Sequence, residues 1–567
     1  LGVSEYLPDL MKKNVFETHF CLHEKREQKE LKQSWARWSA CFRGQPITNV
    51  RNYLGENVAL YFLWLGWYTF LLIPASVIGL VVFLYGLAFY STSPLMLNIV
   101  ICADTVCFGS HVQVSLLFDN EGTVAFAMFM AVWATVFLEF WKCHRSSYVS
   151  AWKVFDWCEE EEELILEIVN NAHCEPKMHR HSYLRSTIVL LLVIIGLTHV
   201  LVVSRVIATV LLAENSTWQV ITENSQTVAV MLGAVLHYIT ITVMTRVKAH
   251  KPPTNKHSHA AVERSFTVKM FIFQFFTMFS SLIYTAFFLG RINGHPGGYV
   301  RISGKWRLEE CHPSGCLTDL FIQMSIIMVL KQTFNNIFEY SDLHRNYSLI
   351  KTDRFSLFNE FLEMVIQFSF TTIFVAAFPL APLLALLNNI IEIRLDAIKM
   401  VSLERRLVPM KANDIGVWTD VLEAIGVLAV IANGLVIGIS SDFIPRLVYQ
   451  YFYGPCASGS ATGIDCMVGY INNTLSQMVT YSGINVTHCS YRDYRSNEDF
   501  SLTNQYWVIL AARLVFIILF EHVVVIFKCV ASWFVPTSPL DVTNERLYDK
   551  LRRLKEELRS VTRAYTL

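Results

Sequence analysis

The chain has 567 residues, 53% of them hydrophobic and 17% charged, and its 47 basic side chains balance 47 acidic ones. So apolar a composition excludes a soluble globular enzyme and predicts a polytopic membrane protein. Zero net charge offers no bulk attraction for polyanions, so no nucleic-acid partner is expected.

Residues 1–56 read as a cytosolic N-terminal segment, and the opening Leu1 predicts that the rest of an N-terminal domain precedes it. Residues 57–535 read as an all-α transmembrane domain of ten helices, near 58–90, 122–141, 186–213, 225–245, 270–290, 317–340, 357–379, 382–400, 421–441 and 505–534. No charged residue occurs between Asn57 and Ala103, which makes the first span unambiguous. Phe378-Pro-Leu-Ala-Pro382 separates the seventh and eighth spans and predicts a tight reversal. Residues 536–567 read as a cytosolic C-terminal helix. In it Leu547, Leu551, Leu554, Leu558 and Val561 form a short heptad seam, suited to a homodimer contact or to packing on the chain's own cytosolic domain.

Loop charge sets the orientation. The loops at 91–121 and 214–224 hold no Lys or Arg, whereas those at 142–185 and 246–269 hold six each, so both termini are expected in the cytosol. Seven cysteines then fall outside: Cys102, Cys107, Cys311, Cys316, Cys456, Cys466 and Cys489. Cys311 and Cys316 are close enough in sequence to bridge locally. Sequons at Asn215, Asn472 and Asn485 also fall outside, as glycosylation candidates. Together these predict a secretory-route membrane, with the plasma membrane as the expected location.

The chemistry lies in three acidic clusters within apolar spans: Asn335 with Glu339, Glu360 with Glu363, and Asn388 with Glu392 and Asp396. Each spacing is i,i+3 or i,i+4, which puts each cluster on one helix face. The topology brings all three to one depth near the cytosolic leaflet. Five buried carboxylates cost several kcal/mol each unless something neutralises them. No comparable set of Lys or Arg lies in these segments, so a hard, oxygen-seeking cation is expected, and calcium fits best. Two divalent ions would offset four of the five charges. The alternatives are helix-capping or snorkelling carboxylates, or a proton relay, for which the spans lack His. The run Glu159 to Glu163 reads as a solvated acidic face, and His237 as a packed core residue.

Asn52-Tyr-Leu-Gly-Glu56, Phe118-Asp-Asn120, Phe378-Pro-Leu-Ala-Pro382, Asn388-Asn-Ile-Ile-Glu-Ile-Arg-Leu-Asp396 and Ser441-Asp-Phe-Ile-Pro-Arg446 closely resemble segments of the anoctamin family. The resemblance runs from about Pro46 to Asp541. It implies a dimeric ten-span protein activated by cytosolic calcium, either a chloride channel or a phospholipid scramblase. It also implies that Asn335, Glu339, Glu360, Glu363, Glu392 and Asp396 are the principal calcium ligands, with Asn388 beside them. An accessory site for a third ion would fall on Glu139 and Asp541, but a further acidic position of that site is Thr537 here.

The resemblance further implies a membrane-facing groove in each subunit, lined by spans three to seven. Channel members carry a groove lysine where this chain has Gln274. A neutral amide does not raise anion occupancy in a low-dielectric path, which argues against a strongly chloride-selective pore. Arg205 and Lys331 remain as basic groove candidates, and Met278 and Ile327 match gating positions of lipid-moving members or are plain core. The expected function is calcium-activated movement of phospholipids between leaflets with non-selective ion conduction. The rivals are a calcium-activated chloride or cation channel without scrambling and a regulatory subunit with little transport of its own. None of these is an enzyme.

Overall fold

The computed structural model describes residues 21–88, 96–103, 106–113, 119–155, 259–292, 294–295, 298–302, 306–307, 311, 315–345, 356–458, 465–482, 485–497 and 499–565, with five isolated positions between 192 and 207. The third and fourth expected spans, the glutamate run at 159–163, Arg205, Asn215 and His237 lie outside the described residues, those isolated positions apart.

The described chain is mostly helical. In order come α1 (Lys25–Ser34), α2 (Ile47–Leu54), α3 (Glu56–Ala88), α4 (Glu121–Ala151), α5 (His259–Phe287), α6 (Cys316–Arg345), α7 (Ser356–Ile373), α8 (Ala381–Ile398), α9 (Val417–Leu435), α10 (Phe443–Val448), α11 (Tyr470–Asn473), α12 (Asn504–Phe534) and α13 (Leu540–Tyr565). Among the described residues, six helical stretches are long and apolar enough to cross a membrane: Glu56–Ala88, Glu121–Ala151, Phe266–Phe287, Cys316–Ile337, Val417–Ser440 and Asn504–Phe534. Helices α7 and α8 are 18 residues each and stand outside that set. Their sequences carry Glu360, Glu363, Glu392, Arg394 and Asp396, which lower their apolar character.

A sheet interrupts the helical plan, where the sequence reading expected helices and loops alone. Strands β1 (Met96–Ala103), β2 (Val106–Gln113), β5 (Leu475–Ser482) and β6 (Asn485–Arg492) form it in the order β2-β1-β6-β5. The short β3 (Arg301–Ile302) and β4 (Trp306–Arg307) pair separately. Strand β1 meets β6 in parallel at Ile101 and Ser490, so the two loops that carry them share one end of the molecule. Both are loops that the charge pattern assigns to the outer side. Periodicity within either loop does not reveal a pairing so distant in sequence.

Two segments that carried the family resemblance meet at the same end. Asp119 accepts hydrogen bonds from Ser441 Oγ at 2.6 Å and from the Asp442 backbone N–H at 2.7 Å, and it pairs with Arg446 at 3.0 Å. Asn120 caps α4, its side chain accepting from Thr123 N–H at 2.8 Å. Arg492, from the sheet, pairs with Asp442. Burial alone would raise the Asp442 carboxyl, but the Arg492 and Arg446 guanidiniums hold it below the usual carboxylate range.

The core is aromatic. Tyr61, Trp64 and Tyr68 of α3 pack with Phe137 of α4 and with Phe361 and Phe368 of α7, ring centroids lying 4.9 Å apart for Tyr61 and Phe361. The expected reversal between α7 and α8 is present, closed by Ala381 N–H donating to Phe378 C=O at 3.0 Å. Pro382 enters α8 in its first turn, where a missing N–H costs nothing. Buried Asn433 of α9 holds this corner: its Nδ2 donates to Thr372 C=O at 2.6 Å, and its Oδ1 accepts from Ala376 N–H at 3.3 Å. The corner presses on α3 at Gly79, where any Cβ would overlap the Pro379 carbonyl oxygen.

Candidate metal centre

Helices α7 and α8 run into the reversal and back out, which lays their polar faces against each other. Glu360 of α7 and Glu392 and Asp396 of α8 each present a carboxylate oxygen, and the three oxygens lie within 4.8 Å of one another. All three residues are buried, with Asp396 at 0% exposure. This is the one group of three or more carboxylate, His or Cys ligands among the described residues with that geometry. Three buried anionic oxygens with no sulfur or imidazole form a hard donor set, which suits calcium or magnesium better than a soft transition metal.

The other predicted ligands form a neighbouring group. Asn335 of α6 donates from Nδ2 to Glu363 Oε1 at 2.7 Å. Asn336 donates to Asn388 Oδ1 at 2.9 Å, a second tie from α6 to α8. A small cavity opens here, lined by Met328, Gln332, Glu363, Gln367 and Asn388 among others. The predicted set thus divides between the buried triad and a neighbouring group of half-buried Glu363 and Asn335 with buried Asn388. Glu339 and Lys331 are placed on α6 by the backbone alone.

Three side chains at the site were not read from the sequence. Tyr61 of α3 donates to Asp396 Oδ2 at 2.5 Å. Lys399 donates from Nζ to Glu360 Oε1 at 2.5 Å, so the acidic segments do have a basic partner. Arg394 lies on α8 two residues from each of Glu392 and Asp396, hence on the opposite face. Its guanidinium donates to the carbonyls of Trp35 at 3.0 Å and Arg43 at 2.9 Å, joining α8 to the N-terminal segment. The acid face of α8 therefore turns to α7 and its basic face to residues 35–43. The i,i+2 offset of Arg394 from the acids was the available signal.

The remaining predicted positions are dispersed. Glu139 on α4 pairs with Lys142 at 3.4 Å, and Lys142 also reaches Glu423 at 2.7 Å. Asp541 opens α13 and is exposed. Gln274 is half-buried on α5, while Met278 is 1% and Ile327 0% exposed. Asn472 is exposed on α11, and Asn485 begins β6. Cys311 and Cys316 form a disulfide, as does the pair Cys456 and Cys466, which sequence spacing did not single out.

The family description "Anoctamin: Calcium-activated chloride channel" matches residues 50–342 and 339–548. The chain belongs to the anoctamin family. It is 49% identical to mouse anoctamin-9 across 98% of this chain and 82% of that protein. It is 42% identical to human anoctamin-4 across 93% of this chain and 63% of that protein. Human anoctamin-5 is 35% identical across 96% of this chain and 70% of its own length. The chain therefore spans between 63% and 82% of the length of these relatives. Anoctamins are membrane proteins, and the family description names calcium, in keeping with the buried oxygen cluster of this chain.

Proposed function

We propose that this anoctamin is a calcium-activated phospholipid scramblase. In this reading it is a ten-span homodimer of the plasma membrane, with both termini in the cytosol. The buried triad Glu360, Glu392 and Asp396 is the observation that carries calcium activation. When bound, calcium supplies positive charge that offsets the repulsion of these carboxylates. Glu363, Asn335, Asn388 and Glu339 would complete the oxygen set for two ions per subunit. Glu139 and Asp541 would give a third ion an accessory site.

The six apolar helices, α7, α8 and the two segments at 186–213 and 225–245 add up to ten spans. Only 17% of the apolar window of α12 is buried within the subunit, and Leu547, Leu551 and Leu554 of α13 are exposed. Both features support a second copy as partner. A lipid headgroup cannot cross about 30 Å of hydrocarbon without a polar path. The groove reading gives it one along α5 and α6, past Gln274, Met278, Ile327 and Lys331, with Arg205 on the third span. Gln274 favours lipid movement and unselective conduction over a chloride-selective pore. Asn335 on α6 bonds to Glu363 on α7, so a change at the cluster is felt directly by a groove helix.

Purified protein in vesicles tests this reading, with dye-labelled lipid flip and ion flux measured together with and without calcium. Calcium-dependent flip with weakly selective flux is the expected result. Chloride flux with no lipid flip would replace this reading by the channel one, and neither signal would favour a regulatory subunit.

A further inference from the structure

We propose that Lys399 is a built-in counter-cation of the acidic triad, pairing with Glu360 and competing there with calcium. The inference rests on the calcium reading of the triad given above.

The argument starts from charge. Glu360, Glu392 and Asp396 bring three carboxylates within 4.8 Å at buried positions, an arrangement that repels itself when no cation is bound. Among the donors described at the cluster and its neighbour, Tyr61 and Asn335 are neutral. Lys399 brings a full positive charge, and its Nζ is 2.5 Å from Glu360 Oε1. Its side chain is 21% exposed and that of Glu360 8%, so solvent screens the pair only partly.

The backbone fixes this contact. Lys399 begins a π-helical turn, Lys399–Leu403, directly after α8, and Glu404 N–H closes the turn on Lys399 C=O at 3.0 Å. Lys399 itself still continues α8, with φ −58°, ψ −57° and its N–H on Leu395 C=O, so three residues after Asp396 and seven after Glu392 it lies on their face. The N-terminal segment holds the turn from outside. Gln28 Nε2 donates to Val401 C=O at 2.7 Å, and a His23 ring nitrogen bonds Glu404 C=O at 2.8 Å. Lys399 thus reaches from the end of α8 across to α7 and spans the two helices that the ion site would join. An oxygen of Glu360 engaged by the ammonium is not available to a divalent ion. Glu360 can give both its oxygens to an ion only by releasing Lys399, whose side chain then turns towards solvent. The ammonium therefore sets the calcium threshold of the site without being one of its ligands.

Calcium binding to the detergent-purified full chain, followed by isothermal titration with calcium chloride, reads this directly and without reference to transport. Lys399→Met should bind calcium about tenfold more tightly than the wild-type chain, since a unit charge beside a divalent site has been removed. Lys399→Arg keeps the charge and should stay within about twofold of wild type. Lys399→Gln, a polar neutral replacement, should follow Met and decides the matter if the Met variant does not fold. Neutral variants that bind calcium no more tightly than wild type would overturn the role of Lys399, as would an Arg variant that shifts as far as the neutral ones. Wild-type protein that binds no calcium would instead overturn the calcium reading of the triad, and this inference with it.

Discussion

Tyr61 of α3 donates a 2.5 Å hydrogen bond to Oδ2 of Asp396 on α8, and both residues are fully buried. The first span is thereby joined to the candidate metal centre, although no acidic residue of the site lies on it. A hydroxyl bonded to a buried carboxylate matters most when no cation is bound, because it donates to an oxygen that lies beside two other carboxylates.

Replacing Tyr61 by Phe should therefore destabilise the ion-free protein by about 1.5–3 kcal/mol. Thermal unfolding in detergent measures this. The loss should shrink at saturating calcium, where a bound ion provides much of the missing compensation. An equal loss with and without calcium would show that Tyr61 serves packing alone.

Glu392→Gln removes one charge from the triad and keeps its shape. The calcium midpoint for lipid flip in liposomes should rise at least about tenfold, since one lost charge at such a site is worth more than about 1.4 kcal/mol. A midpoint equal to that of the wild-type chain would exclude Glu392 as a ligand.

Calcium should act from one side only. The charge pattern of the loops predicts a triad near the cytosolic leaflet, so micromolar calcium on the outer face alone should leave lipid flip at its resting rate. Vesicles of defined orientation with calcium added to one compartment make the measurement. Equal activation from either face would contradict the topology.

Gln274→Lys places a cation on the α5 face of the proposed groove. Any current should shift towards chloride preference, read as the reversal potential under a sodium chloride gradient. A unit charge at about 4 Å is worth about 4 kcal/mol at an effective dielectric of about 20, and a wet groove reduces that considerably. If reversal potential and lipid flux are both untouched, Gln274 does not line the path.

Gly79→Ala should cost about 1–3 kcal/mol of stability, because the new Cβ overlaps the Pro379 carbonyl oxygen and neither helix α3 nor the reversal can yield freely. Fluorescence-detected chromatography of heated samples would show it. A variant as heat-stable as the wild-type chain would mean that the corner relaxes away from α3.

Much of this protein is legible from its sequence because local rules write it there. An uncharged stretch after Asn57 has to be a span, since unpaired backbone polar groups are not tolerated in hydrocarbon. The i,i+4 spacing of Asn388, Glu392 and Asp396 has to put them on one face, and three acidic faces in adjacent spans already imply a shared cation. The prolines around Leu380 fix the reversal that returns α8 along α7. The spacing of Cys311 and Cys316 made a local bridge a candidate, and the structure forms it.

Tertiary structure alone decided which partners these faces meet. The pairing of β1 with β6, the hydrogen bond of Tyr61 to Asp396 and the contact of Asp119 with Ser441 and Arg446 join segments far apart in the chain, where no periodicity reports on contact. The same holds for the division of the acidic residues into a buried triad and half-buried Glu363, since spacing fixes a helix face but not the depth at which helices cross. Lys399 shows the difference most directly. In sequence it closes the eighth expected span on the face of Glu392 and Asp396, and only the packing of α7 against α8 brings its ammonium to Glu360.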